Sequence, residues 1–237
     1  MTAAEIKRVR SLQEKKYRDE TGLFVLEGEK LVSELLASDF TVENVYYRSE
    51  IGDNTMSRIS SLSSPSPVLA VAGKPIGRLP SVPGPGLYLA LDGISDPGNL
   101  GTILRIADWF GIDGVYASRG TTDLYSPKVV QATMGAILRV KFMYTDIPAL
   151  CDSVIKAGGK VCGTFLDGED IFVRDLPSGA EFPVVIVIGN EAHGISKETA
   201  AHVSDRLLIP PYPANERSSE SLNAAVATGI TVALFRR

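Results

Sequence analysis

Residues 183–189 read PVVIVIG. Five consecutive branched aliphatic residues leave no polar face, so a strand over Val184–Gly189 must be covered on both sides. Strands of that kind belong to parallel sheets with helices packed on each face. Outward from this stretch, strand and helix signals alternate. Strands are expected at Leu87–Gly93, 114–118 (GVYAS), Val140–Tyr144, Lys160–Phe165 and Arg206–Ile209. Between them, a turn at Ser95–Asn99 leads into a helix to Phe110, with Asn99 as a plausible cap and Gly111 in the C′ position. Ser126 and Pro127 form an N-cap and N1 pair for a helix through Leu138. Asp146–Ala157 and Ser219–Phe235 complete the helices. The fold class is α/β, and in such sheets ligands gather at the loops leaving the strands' C-terminal ends.

Upstream, residues 72–86 (AGKPIGRLPSVPGPG) are rich in proline and glycine and lack apolar periodicity, which marks a linker. Before it lies a small α/β unit: a helix over 3–18, a strand Leu23–Glu27, a helix Lys30–Ala37, a strand Val42–Tyr47, a short helix Ser57–Ser61 and a closing strand Val68–Ala72. The expected domains are 1–71, a linker 72–86 and 87–237. Each has apolar residues for its own core, so a fragment starting near Pro85 is expected to fold alone.

The 237 residues are 44% hydrophobic and 22% charged, ordinary globular values that exclude wholesale disorder. No apolar stretch approaches the roughly 20 residues that span a bilayer, and MTAAEIKRVRSLQEKK is not a signal peptide. A cytoplasmic location is expected. Cys151 and Cys162 read as buried small hydrophobes. The net charge of −4 hides a basic start: the first 18 residues carry six basic side chains against two acidic ones. Lys7, Arg8, Lys15 and Lys16 are either a solvated helix face or contacts to phosphate.

Several chemistries are unsupported. There is no GxGxxG, no GxxxxGK[ST] and no GxSxG. The two histidines, His193 and His202, and the two cysteines form no metal-ligand spacing, so no metal site is expected. Three strand-end loops stand out instead. The first is DPGNLGTILR, Asp96 to Arg105. The second is GNEAHGIS, Gly189 to Ser196, where Glu191 stands at the exit of the most apolar strand. The third runs from IPPYP at 209–213 to SLNAAVATGI at 221–230. The first and third are also explicable as capping and close helix packing; an ordinary strand-to-helix turn explains the glycines of the second but not Glu191.

Taken together, these loops resemble the signature motifs of the SpoU/TrmH family of RNA ribose 2′-O-methyltransferases, in the SPOUT class. GNxGxxxR stands as Gly98 to Arg105, GxExxG[IL]S as Gly189 to Ser196, and IP…SLNxxxA as Ile209-Pro210 with Ser221-Leu222-Asn223 and Ala227. SPKVVQATMGAILRV is similar to the family's intervening helix, with Gln131 and Thr133 departing from its usual wording. Residues 1–71 resemble the ribosomal-protein-like substrate-binding domain that precedes the catalytic domain in many members.

The resemblance implies a SPOUT catalytic domain with a C-terminal trefoil knot, an exception to the rule against knots. It implies bent S-adenosylmethionine held mainly by backbone at Thr164, Phe165, Leu166, Gly189, Ile209, Pro211 and Leu222. It implies a homodimer and an RNA substrate, with ribosomal RNA favoured over transfer RNA. Arg105 matches the catalytic arginine, and Asn99, Glu191, Ser221 and Asn223 match the other functional positions. A guanidinium keeps its proton in water, so Arg105 reads better as a stabiliser of phosphate and of the 2′-oxygen than as a base. Glu191 is the alternative base. A transfer-RNA enzyme, a non-catalytic RNA-binding protein on this scaffold, and an unrelated α/β enzyme are the rival readings.

Overall fold

The computed structural model describes residues 1–75, 79–213 and 221–237. Residues 76–78 of the expected linker, and 214–220 with the start of the expected final helix, lie outside the described residues. The chain divides into two compact units, Met1–Ile76 with Asp123–Arg139, and Gly77–Thr122 with Val140–Arg237.

In the first unit, β1 (Leu23–Glu27), β2 (Val42–Tyr47) and β3 (Val68–Gly73) form an antiparallel sheet in the order β1-β3-β2. The helix expected over 3–18 is two helices, Ala3–Ser11 and Lys15–Thr21. The break frees the carbonyl of Leu12, which accepts from Arg18 Nη1 at 2.7 Å, while Nη2 reaches Asp123 at 2.6 Å. Arg18 is buried, so this long-range pair overrides a continuous helix. The short helix expected at Ser57–Ser61 lies earlier, at Asp53–Ile59, because Gly52 with φ 80° starts it.

Residues 123–139 join this unit through several contacts. Gln131 Nε2 donates to the Glu27 carbonyl at 2.6 Å, Arg139 pairs with Glu34 at 2.7 Å, and the Phe24 and Tyr125 rings meet at 4.8 Å. The helix begins at Pro127 after Ser126, as expected, yet stops at Ala132 rather than Leu138. Met134 (φ 50°) and Gly135 (φ 96°) turn the chain into a 3₁₀ turn, Ala136–Leu138. A fragment starting near Pro85 would therefore carry residues 123–139 without Arg18, Phe24, Glu27 and Glu34. The expectation of a free-standing fragment overlooked these partners.

The second unit contains β4 (Gly86–Asp92), β5 (Gly114–Ala117), β6 (Phe142–Tyr144), β7 (Lys160–Asp170), β8 (Pro183–Gly189) and β9 (Asp205–Leu208). They lie in the order β6-β5-β4-β8-β7-β9, and every neighbouring pair is parallel. β8 is central, with Val184 through Val187 fully buried, as its unbroken apolar run requires. The chain runs outward through β4, β5 and β6, then returns on the other side of β4. The order thus switches between β4 and β8, and a crevice opens beyond their C-terminal ends. Helices Pro97–Trp109 and Ala224–Phe235 border it. The described final helix follows Asn223, whose Oδ1 caps it by accepting from the backbone N–H groups of Ala225 and Val226.

Cys151 and Cys162 are both buried, and desolvation pushes each thiol up to about 12. Neither is expected to react with a thiol reagent at pH 8 in the native protein. Both should titrate once denaturant is added; rapid native labelling of either would show that its surroundings open.

Candidate active site

The site grows from three loops at the crevice. After β4, Gly93 turns the chain with φ 80°. Asp96, not Asn99, caps the following helix: its Oδ1 accepts from Asn99 N at 2.7 Å, and Pro97 takes the first helical position. This displaces the expected cap by three residues and leaves the Asn99 amide free to point elsewhere. After β5, the Ser118 hydroxyl accepts from Gly93 N at 2.9 Å, and Thr122 N donates to the Ile94 carbonyl at 2.8 Å. The β4 loop is therefore fixed from a second side.

After β8, Asn190 and Gly194 exchange two backbone hydrogen bonds of 2.9 Å. Asn190 Oδ1 accepts from Ala192 N and His193 N, and its Nδ2 donates to the Gly93 carbonyl at 2.7 Å. The tight loop presents Glu191 at its tip. Gly189 is required here, because a Cβ would stand 2.2 Å from the backbone of Gly194 and Ile195.

Four side chains then meet in order. Asn223 Nδ2 donates to Asn99 Oδ1 at 2.8 Å, and Asn99 Nδ2 donates to Glu191 Oε1 at 2.8 Å. Ser95 Oγ donates to Glu191 Oε2 at 3.3 Å. The direction of the relay follows from the helix cap. Asn223 commits its oxygen to backbone N–H groups, so its nitrogen faces Asn99, whose own nitrogen must then face the carboxylate. This also explains a carboxylate at the end of an apolar strand.

Beside the relay lies a cavity of about 700 Å³, within the range of small-molecule sites. Thr164, Phe165, Leu166, Gly189, Ile209 and Leu222 line it, as do Glu191 and Ser221. Pro211 is exposed and outside that lining. Arg105 lies two residues short of Ala107 on the helix, exposed, with no ion pair or hydrogen bond among the described residues. It shares one exposed stripe with Gly98, Thr102 and Trp109. The structure thus joins Asn99, Glu191 and Asn223 directly, places Ser221 at the cavity, and gives Arg105 no side-chain partner among the described residues. Ser95 and Asn190 were missed by sequence reasoning. Asn190 had a signal, an Asx residue opening a tight turn; Ser95 had none.

In the first unit, the basic candidates are mostly engaged. Arg8 pairs with Glu43, Lys15 with Asp19, and Lys16 with Glu20 at 3.9 Å. Hydrogen bonds from Lys15 and Lys74 hold the Asp19 carboxyl down at about 2. Lys7 makes no ion pair among the described residues. No group of three or more His, Cys, Asp or Glu that could hold a metal occurs among the described residues. No helix among them is long and apolar enough to cross a membrane.

Comparisons with known proteins fit this geometry. Residues 86–233 match the SpoU rRNA Methylase family, and residues 3–80 match an MRM3-like substrate binding domain. The chain is 28% identical over 243 residues to a 23S rRNA (guanosine(2553)-2′-O)-methyltransferase of Bacillus subtilis, covering 96% of this chain and 94% of that one. Its fold superposes on a TrmH-family structure from Porphyromonas gingivalis with TM-score 0.90 and 38% identity, over 100% and 98% of the two chains. It superposes on an AdoMet-bound rRNA methyltransferase from Sinorhizobium meliloti with TM-score 0.87 and 30% identity, over 100% and 95%. The match spans both units and all three signature loops, so the chain belongs to the SpoU rRNA Methylase family.

Proposed function

We propose that this chain transfers a methyl group from S-adenosylmethionine to a ribose 2′-hydroxyl of ribosomal RNA. The observation that carries the reading is the relay Asn223–Asn99–Glu191 at the rim of the cavity. The cofactor's fit rests on charge and shape. Among the described lining residues Glu191 is the only carboxylate, and no lysine or arginine is present. Such a cavity suits a cationic sulfonium, which supplies an electrophilic methyl group when bound.

The chain's own residues supply the rest. The hydroxyl is a weak nucleophile, so alignment and proton removal are the tasks. The Glu191 carboxylate, held by Asn99 and Ser95, stands ready to take the proton. Arg105 offers a planar fork of donors to the adjacent phosphate and to the developing negative charge on the 2′-oxygen. Ser221 opens the segment that ends in the Asn223 cap and orients the ribose.

The proposal extends to assembly and place. The catalytic unit carries the C-terminal trefoil knot, supported by the likeness to TrmH-family structures. The protein works in the cytoplasm as a homodimer. Trp109 is 85% exposed and Val226 51%, and the helix Ala224–Phe235 is apolar on every side, as a helix covered by a partner must be. The first unit supplies RNA contacts, with Lys7, Arg8, Lys15 and Lys16 as candidates.

Thermal shift measurements test the cofactor assignment. S-adenosylmethionine is expected to stabilise the protein and a nicotinamide dinucleotide is not. Stabilisation by the dinucleotide alone would sink the reading. Mapping 2′-O-methyl sites in RNA from cells with and without the gene then tests the substrate. One lost site in ribosomal RNA is expected; a site lost only from transfer RNA assigns the other substrate.

A further inference from the structure

β7 and β9 pair across a slip. Gly163 and Thr164 stand opposite Arg206 and Leu207, and Glu169 and Asp170 stand opposite Leu207 and Leu208. Leu207 is used on both sides of the irregularity, so Phe165–Gly168 leaves the ladder as a four-residue excursion. Gly168 lets the strand return, because a Cβ there would lie 2.4 Å from the Leu207 carbonyl carbon. The excursion carries Phe165 and Leu166 to the cavity, and Leu166 is 78% exposed. A short exposed excursion has little apolar burial to hold it in place.

Arg206 supplies what burial does not. Its guanidinium carbon lies 3.5 Å from the centroid of the Phe165 ring. Its Nη2 also donates to Asp167 Oδ1, and that hydrogen bond lowers the Asp167 carboxyl below its ordinary value. One planar side chain therefore grips two of the four residues, one by stacking and one by charge. The methyl-transfer chemistry described above makes no use of it. We propose that Arg206 is a positioning residue that clamps Phe165–Gly168 as the wall of the S-adenosylmethionine cavity. Its two arms set the affinity for the cofactor without touching the reacting atoms. The inference rests on the cofactor reading above.

Calorimetric titration of S-adenosylmethionine into the full chain tests it. Arg206→Ala is expected to weaken binding on the order of fivefold to tenfold, and to raise KM for the cofactor equally. Turnover at saturating cofactor and affinity for RNA should stay within twofold. Arg206→Lys keeps the charge for Asp167 and loses the planar stack; Asp167→Asn keeps the stack and weakens the pair. Each should fall between wild type and Arg206→Ala. Asp167 is exposed, so Asp167→Asn keeps its fold and remains informative if Arg206→Ala does not. Wild-type cofactor affinity in Asp167→Asn and in any folded Arg206 variant overturns the clamp. So does a loss of turnover at saturating cofactor with unchanged KM. Failure of the wild-type protein itself to bind the cofactor overturns the broader reading instead.

Discussion

Arg105→Ala is expected to cut methyl transfer by at least about 10²–10³-fold while S-adenosylmethionine affinity stays within a few fold. The side chain is exposed and has no ion pair or hydrogen bond among the described residues, so its removal leaves no buried group unsatisfied. Melting temperature should therefore move little, since exposed substitutions away from caps and cores stay within about 0.5 kcal/mol. The cavity lining is made by other segments, around Gly189, Ile209 and Leu222, which explains why cofactor binding should survive. Arg105→Lys should also fail largely, because a point charge cannot replace a fork that spans two oxygens. A single-turnover assay with enzyme in excess, run beside calorimetry, separates the two effects. Wild-type turnover in Arg105→Ala would remove this residue from the chemistry and leave Glu191 with its relay as the whole of the apparatus.

The parallel sheet was legible because β8 has no polar face, and β1 and β2 begin and end where their patterns do. What local sequence could not show was set by distant partners. The helix over 3–18 breaks after Ser11, where the freed Leu12 carbonyl takes Arg18, whose guanidinium also reaches Asp123, 105 positions away. The helix after Pro127 stops early at Met134 and Gly135, where the Glu34 carboxylate occupies the space a Cβ would need. β7 runs five residues beyond Phe165 only because β9 repeats its pairing through Leu207. At the site, Asn99, Glu191 and Asn223 were legible as a set only through the resemblance to the family's motifs, and the relay that links them was not. It depends on Asp96 taking the cap in place of Asn99. Pro97 dictates that, since a proline at the first helical position puts the cap one residue before it. Ser95 carries no motif at all and enters only because β4 and β8 end side by side.

Gly189→Ala is expected to weaken cofactor binding by about 100-fold or more, for reasons of space rather than backbone conformation. Gly189 does not adopt a positive φ, so alanine suits its dihedral angles. Its Cβ would instead stand 2.2 Å from the Gly194 carbonyl carbon and from Ile195 N, atoms of backbone that no rotamer can move aside. Overpacking of this kind costs about 1–3 kcal/mol or more, and the cheapest relief is to open the loop. Opening it breaks the paired Asn190–Gly194 hydrogen bonds and carries Glu191 away from Asn99. The cavity wall and the relay would be lost together, so methyl transfer should fall further than cofactor affinity does. Gly194→Ala is the contrasting variant. There φ is 67° and nothing lies within 4 Å of the added carbon, so only left-handed strain of about 1 kcal/mol applies. Titration calorimetry on both variants decides. If Gly189→Ala binds as tightly as Gly194→Ala, the loop yields without cost, and the tight turn is not what shapes the cavity.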